Sequence, residues 1–199
     1  ALAALGMTEK DERDTAMARL PYLTPEDLKP ADKDLLKRDI ALYRILSYSP
    51  DGARAFGTLG RYIRFGSKLD GRLRELAILQ VGYLARAPYE YSHHIKIGYD
   101  FGVTKDDIRA LIADTEGKTN GLEPLAKTVL RAAREMSVKM EVSDATFAEL
   151  KAAMSEEHIV DLMITIAFYN GVVRFLGAMQ IDVEPEYQKY LDEFPLPTA

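Results

Sequence analysis

The sequence predicts an all-α fold, and three observations carry that prediction. Apolar residues recur at helical spacing along most of the chain. Two stretches, within 71–85 and 155–179, are apolar on nearly every side, as buried helices are. No run alternates Val and Ile between turn signals, so no strand is expected.

The elements follow in order. Residues 7–32 are polar and broken by Pro21, Pro25 and Pro30, which predicts an arm on the surface. "DKDLLKRDIALYRILSYSP" spaces Leu35, Leu36, Ile40, Leu42, Ile45 and Leu46 as a helix that Pro50 ends. A shorter amphipathic segment carries Phe56, Leu59, Tyr62 and Ile63 on one side. Asp70 is placed to cap the first all-apolar helix. Pro88 closes that helix and suits the first turn of the next, 88–101, which Gly102 ends. Thr104 and Asp107 form a capping-box pattern before a helix at 105–113. Residues 114–124 read as a linker, and Pro124 opens a helix with Leu125, Val129, Leu130, Ala133 and Met136 on one face. A short helix, "SDATFAELKAAM", precedes the second apolar helix, and the end of the chain is polar with prolines. The segments on either side of the linker each end in an apolar helix, an echo of architecture without residue identity. The domain reading is an arm at 1–34, a helical domain at 35–187 and a tail at 188–199. Residues 1–6, ahead of Met7, read as an expression remnant, and no signal peptide is expected there.

Composition narrows the function classes. The 199 residues are enough to bury roughly 70% of the unfolded surface without staples. The absence of cysteine excludes disulfides and thiol chemistry. A net charge of −5 argues against nucleic acid or an anionic membrane as partner. No apolar run reaches the ~20 residues of a bilayer span, and a cytoplasmic location is expected.

Chemistry concentrates in "APYEYSHHIKIG". Of three histidines, two lie here beside a glutamate. Glu90 and His94 are four apart and share a helix face, with His93 at its edge. Glu75 stands early in the preceding buried helix, where an unpaired charge would be costly. It lies about 18 Å back from the turn, so spacing alone does not level it with His94. Glu90-x-x-His93 also fits half of a di-iron motif, but the chain has no second Glu-x-x-His, so no metal is expected. Arg61 is a candidate partner for a substrate carboxylate. Tyr83, Tyr91 and Asn170 are candidate pocket residues with His93, Asn170 because a buried amide demands partners.

"RLRELAILQVGYLARAPYEYSHHIKIG" resembles the signature of the carboxymuconolactone decarboxylase and alkylhydroperoxidase-D-like superfamily. "VDLMITIAFYNGVVRFLGAMQIDVEPE" resembles the C-terminal helix of its longer members, so the likeness spans roughly residues 35–187. The resemblance implies an alkylhydroperoxidase-D-like helical bundle with two long buried helices. It implies a trimer or hexamer, no cofactor, and catalytic roles for Glu75, Glu90 and His94. The positions of the peroxidase branch's two cysteines are Ala87 and Glu90 here, so thiol peroxidase activity is not expected. The implied function is acid–base decarboxylation, isomerisation or lactone chemistry on a small organic acid. The alternative is a non-catalytic oligomeric binding or stress-related module on the same scaffold.

Overall fold

The computed structural model describes residues 18–198; residues 1–6, read as an expression remnant, and the start of the expected arm lie outside them. Among these residues every regular element is helical. The helices are α1 (Ala41–Leu46), α2 (Pro50–Arg61), α3 (Gly71–Leu84), α4 (Pro88–Asp100) and α5 (Lys105–Thr115). They continue with α6 (Pro124–Lys139), α7 (Asp144–Ala153), α8 (Glu156–Met179) and α9 (Gln188–Glu193). Short 3-10 helices at Pro30–Lys37 and Pro185–Tyr187 and a π turn at Tyr62–Gly66 complete the set among the described residues.

Helix α3 is the centre. It packs against α4, α6 and α8, and Leu76, Ala77 and Leu79 are wholly buried. Its apolar residues surround the axis because it has neighbours on several sides. Asp70 caps it by accepting the Leu73 N–H at 2.9 Å, and the Thr104–Asp107 box closes in both directions at α5.

Two expectations are corrected. The helix read across 33–49 is broken at Ile40, which is extended (φ −124°, ψ 153°). Asp39 turns aside to pair with Arg44 at 2.6 Å. The free N–H groups of α1 are met from elsewhere: Ala41 donates to Glu184 Oε1 at 2.8 Å and Leu42 to the Tyr89 hydroxyl at 3.2 Å. Helix α8 is long and apolar enough to cross a membrane by length and composition, against the expectation of no such run. About half of its most apolar window is buried inside the fold, where it packs on α3. Buried Asp161 in α8 accepts from Tyr62 and Ser67 at 2.7 and 2.6 Å, anchoring the π turn that ends α2.

Both ends of the described stretch pack on the bundle. Arg19 N–H bonds the Met179 carbonyl at 2.9 Å, and the Tyr22 hydroxyl donates to Asp182 at 2.9 Å. Phe194, in the stretch read as a polar tail, is buried in the core.

The α3–α4 connection positions the site. Ala87 N–H bonds Gly82 O at 3.0 Å and Arg86 N–H bonds Tyr83 O at 3.1 Å, a Schellman closure. Its left-handed residue is Arg86 (φ 49°), where glycine is the unstrained choice. Arg86→Gly should therefore raise unfolding stability by up to about 1 kcal/mol, read as a higher urea midpoint with unchanged slope.

Candidate active site

Gly82 sets the approach of α3 to α4. A Cβ there would lie 3.3 Å from the Tyr91 backbone nitrogen, so the two helices touch backbone to backbone. That closeness lets side chains bridge the offset that spacing alone left open. His94 Nδ1 donates to Glu75 Oε2 at 2.6 Å. Glu75 Oε1 accepts from Arg74 Nε at 3.1 Å. Arg74 also donates to the Arg64 carbonyl at 3.2 Å and lays its guanidinium 4.2 Å over the Phe101 ring.

On the other side of the imidazole, Nε2 lies 2.9 Å from Glu90 Oε1. The two are an ion pair out of hydrogen-bond alignment, and Glu90 Oε1 is buried with no hydrogen-bond partner. The row is Arg74, Glu75, His94, Glu90: alternating charges, all buried. Burial works against a charged His94, but Glu75 and Glu90 outweigh it and raise its pKa to about 9. The same balance runs the other way for Glu75: burial pushes its pKa up, His94 and Arg74 pull harder, and the net is down. At neutral pH the imidazole is an imidazolium between carboxylates. Tyr169 meets its ring edge-on, centroids 4.9 Å apart, and burial holds the phenol protonated by raising its pKa.

His94, Glu90, His93, Tyr169 and Arg61 line one pocket of about 1020 Å³. Glu75 stands behind His94, outside the lining. Buried Glu90 and His94 form the floor; exposed Lys37, Arg38 and Arg61 form the mouth. Tyr83, Tyr91 and Asn170 are placed elsewhere. Tyr83 and Tyr91 pack on each other in the core, ring centroids 5.7 Å apart. Asn170 donates to Ser137 and to the Ile166 carbonyl at 3.0 Å each, beside a smaller cleft on the other side of α8. Its helical periodicity turns it away from Tyr169. Among the described residues no group of three or more His, Asp or Glu side chains is arranged to hold a metal ion.

The sequence reading missed Glu184. This residue faces His93, whose Nε2 lies 3.1 Å from Glu184 Oε2. Glu184 also accepts from Ala41 N–H and from the Tyr89 hydroxyl at 3.2 Å. Burial raises the Glu184 pKa, but His93 and the Ala41 N–H overcome it and the net is down. His93 is stacked between Tyr89 and Tyr187, centroids 4.0 and 3.6 Å away, and its Nδ1 donates to the Tyr89 carbonyl at 2.8 Å. The only signal for Glu184 in the sequence was its place inside the motif-like "DVEPE".

Residues 50–135 match the model of the carboxymuconolactone decarboxylase family. That region holds Glu75, Glu90 and His94 and ends before Tyr169 and Glu184. Solved structures share the fold. One is a peroxidase-related protein from Ralstonia eutropha JMP134 with an alkylhydroperoxidase AhpD core. It is 17% identical with a TM-score of 0.73, over 91% of this chain and 98% of that one. Another is the debrominase Bmp8, as a cysteine-to-alanine variant in complex with 2,3,4-tribromopyrrole. It is 21% identical with a TM-score of 0.71, over 89% of this chain and 99% of that one. A third, a peroxidase-related protein from Silicibacter sp. TM1040, is 17% identical with a TM-score of 0.67. It covers 92% of this chain and 97% of that one. No curated protein matches the sequence.

Two outcomes follow from the charges. The raised His94 pKa contributes stability that is complete below its ordinary 6.5 and is lost as pH rises through about 9. The lowered Glu75 pKa contributes stability that is complete above its ordinary 4.5 and is lost as pH falls through the folded value. Urea unfolding across pH should thus show a maximum between these limits, and Glu75→Gln should flatten the alkaline decline. Glu184→Gln should loosen both α1 and the C-terminal segment, seen as faster amide exchange at Ala41 and Leu42 than in the parent, with α3 amides unchanged.

Proposed function

We propose that this chain, which belongs to the carboxymuconolactone decarboxylase and alkylhydroperoxidase-D-like superfamily, is a cofactor-independent acid–base enzyme acting on a small organic acid or lactone. The observation that carries the reading is the state of His94. One ring nitrogen is fixed by Glu75, and the other is turned to the pocket floor beside a carboxylate with no hydrogen bond of its own.

An imidazolium with a pKa near 9 enters the reaction as the acid. In decarboxylation of a 3-oxo or unsaturated acid, the C–C bond to the carboxylate breaks and carbon dioxide leaves. The electron pair passes into the conjugated carbonyl as an enolate. His94 Nε2–H then delivers its proton to carbon, and solvent restores it. In isomerisation Glu90 first takes a proton from carbon and His94 returns one at a second position. Glu75 keeps Nδ1 protonated and the ring oriented throughout. Chemistry through a thiolate has no residue to perform it, since the chain holds no cysteine. Arg61 and its neighbours at the mouth favour an anionic substrate. The polar groups converging on an open pocket favour this reading over a non-catalytic module on the same scaffold.

The proposal includes the trimer or hexamer and the cytoplasmic setting expected for the superfamily. Exposed apolar side chains such as Phe65 (73%), Met140 (71%) and Val160 (55%) supply surface for subunit contacts.

The test is turnover of a panel of 3-oxo acids, unsaturated acids and lactones followed by NMR. His94→Gln should lower turnover by about 100-fold or more while the helical circular dichroism stays intact. Full turnover in that variant would overturn the assignment.

A further inference from the structure

The pocket holds two unmet demands of opposite kind. Glu90 Oε1 is a buried acceptor whose close contact, His94 Nε2 at 2.9 Å, is out of line for a hydrogen bond, and the residue lies on the pocket floor. Arg54 lines the same pocket, and its Nη1 is a buried donor with no partner. The other terminal nitrogen of Arg54 is fully engaged, bonding the Ala31 carbonyl at 2.9 Å, Asp32 at 3.0 Å and Asp34 at 3.2 Å. That anchoring fixes the guanidinium and leaves Nη1 as its unpaired donor. Arg61, exposed at the mouth, adds a cation with no ion-pair partner among the described residues.

Between these polar points the wall is aromatic. Phe56 and Phe168 lie 4.8 Å apart, Phe168 and Tyr169 5.4 Å, and Tyr169 abuts His94. A buried polar atom without a partner is costly, and a ligand that supplies the missing partner recovers that cost. Aromatic walls favour flat, unsaturated ligands through offset and edge contacts.

We propose that the pocket takes a ring acid bearing its own hydrogen-bond donor: the carboxylate is received by Arg54 and Arg61, the ring lies among Phe56, Phe168 and Tyr169, and an O–H or ring N–H donates to Glu90. The inference rests on the reading of this pocket as the active site and narrows its substrate class. It also makes Glu90 a specificity determinant. A ligand without the donor leaves the Glu90 oxygen with only its out-of-line contact to His94, and a ligand without the anion leaves Arg54 Nη1 without a partner.

Isothermal titration with four matched probes tests it: 4-hydroxybenzoate, benzoate, 4-hydroxybenzyl alcohol and trans-4-hydroxycyclohexanecarboxylate. The first should bind about tenfold or more tighter than each of the others, the discrimination expected of a hydrogen bond to a charged group. In Glu90→Ala the preference for 4-hydroxybenzoate over benzoate should collapse to about one. Arg54→Met should weaken both benzoates together and leave the benzyl alcohol unaffected. If Glu90→Ala does not fold, Glu90→Gln replaces it and should retain only part of the preference. Equal affinities in the parent protein, an unchanged preference in the Glu90 variants, or binding of none of the probes overturns the proposal. Failure here with His94→Gln inactive on the panel removes the substrate class alone. A fully active His94→Gln removes the catalytic reading itself.

Discussion

The hydrogen bond between Glu75 and His94 holds the molecule's chemistry and its architecture together. It joins the central helix to its neighbour at 2.6 Å in a region closed to water. Neither charge is tolerable there alone, since an isolated buried ion costs several kcal/mol, on the order of the stability of a domain. The row that contains it alternates in sign from Arg74 to Glu90, so each charge is flanked by its opposite. The cost of burial is thereby spread over four side chains. The imidazolium that results is oriented from behind and meets the pocket from the front. The closeness of α3 and α4 at Gly82, the turn at Arg86 and the cap at Asp70 all serve to hold this row in register.

Much of this was legible in the sequence, for reasons that differ by residue. Glu90 and His94 share a face because four residues on a helix always do. The caps at Asp70 and Thr104 were legible because they are local, each involving atoms three residues apart. Glu75 stood out as a carboxylate in a buried helix, but its pairing with His94 did not follow from spacing, since the two are nineteen positions apart and the angle between helices is not written in the sequence. Arg54 and Glu184 were not legible at all. Their partners come from remote segments, and neither residue type nor periodicity marks them. Tyr83 and Tyr91 look like pocket residues by composition, yet an aromatic side chain fills a core equally well, and these two pack on each other. The break at Ile40 was hidden because apolar periodicity continues across it, while the decisive hydrogen bonds come from Glu184 and Tyr89.

The start of α4 carries a local electrostatic preference. Ala87 is the N-cap position of α4 and Glu90 lies in its first turn. There a carboxylate gains from the free N–H groups and the helix dipole. The same features would favour a thiolate at these positions. The same helix end thus suits the Glu90 carboxylate and, at the positions where the resemblance places cysteines, would suit a thiolate.

Helix α1 carries a kinetic consequence. Its first N–H group is satisfied by a carboxylate 143 positions further along the chain, and its second by a tyrosine hydroxyl 47 positions away. Closing so long a loop costs entropy that local helices do not bear. A six-residue helix is too short to persist without such partners. The wall of the pocket that contains Leu42 and Tyr43 thus depends on Glu184, which the segment after α8 delivers. A chain cut before Glu184 would keep the charged row but lose the carboxylate that starts α1, and with it part of the support of that wall.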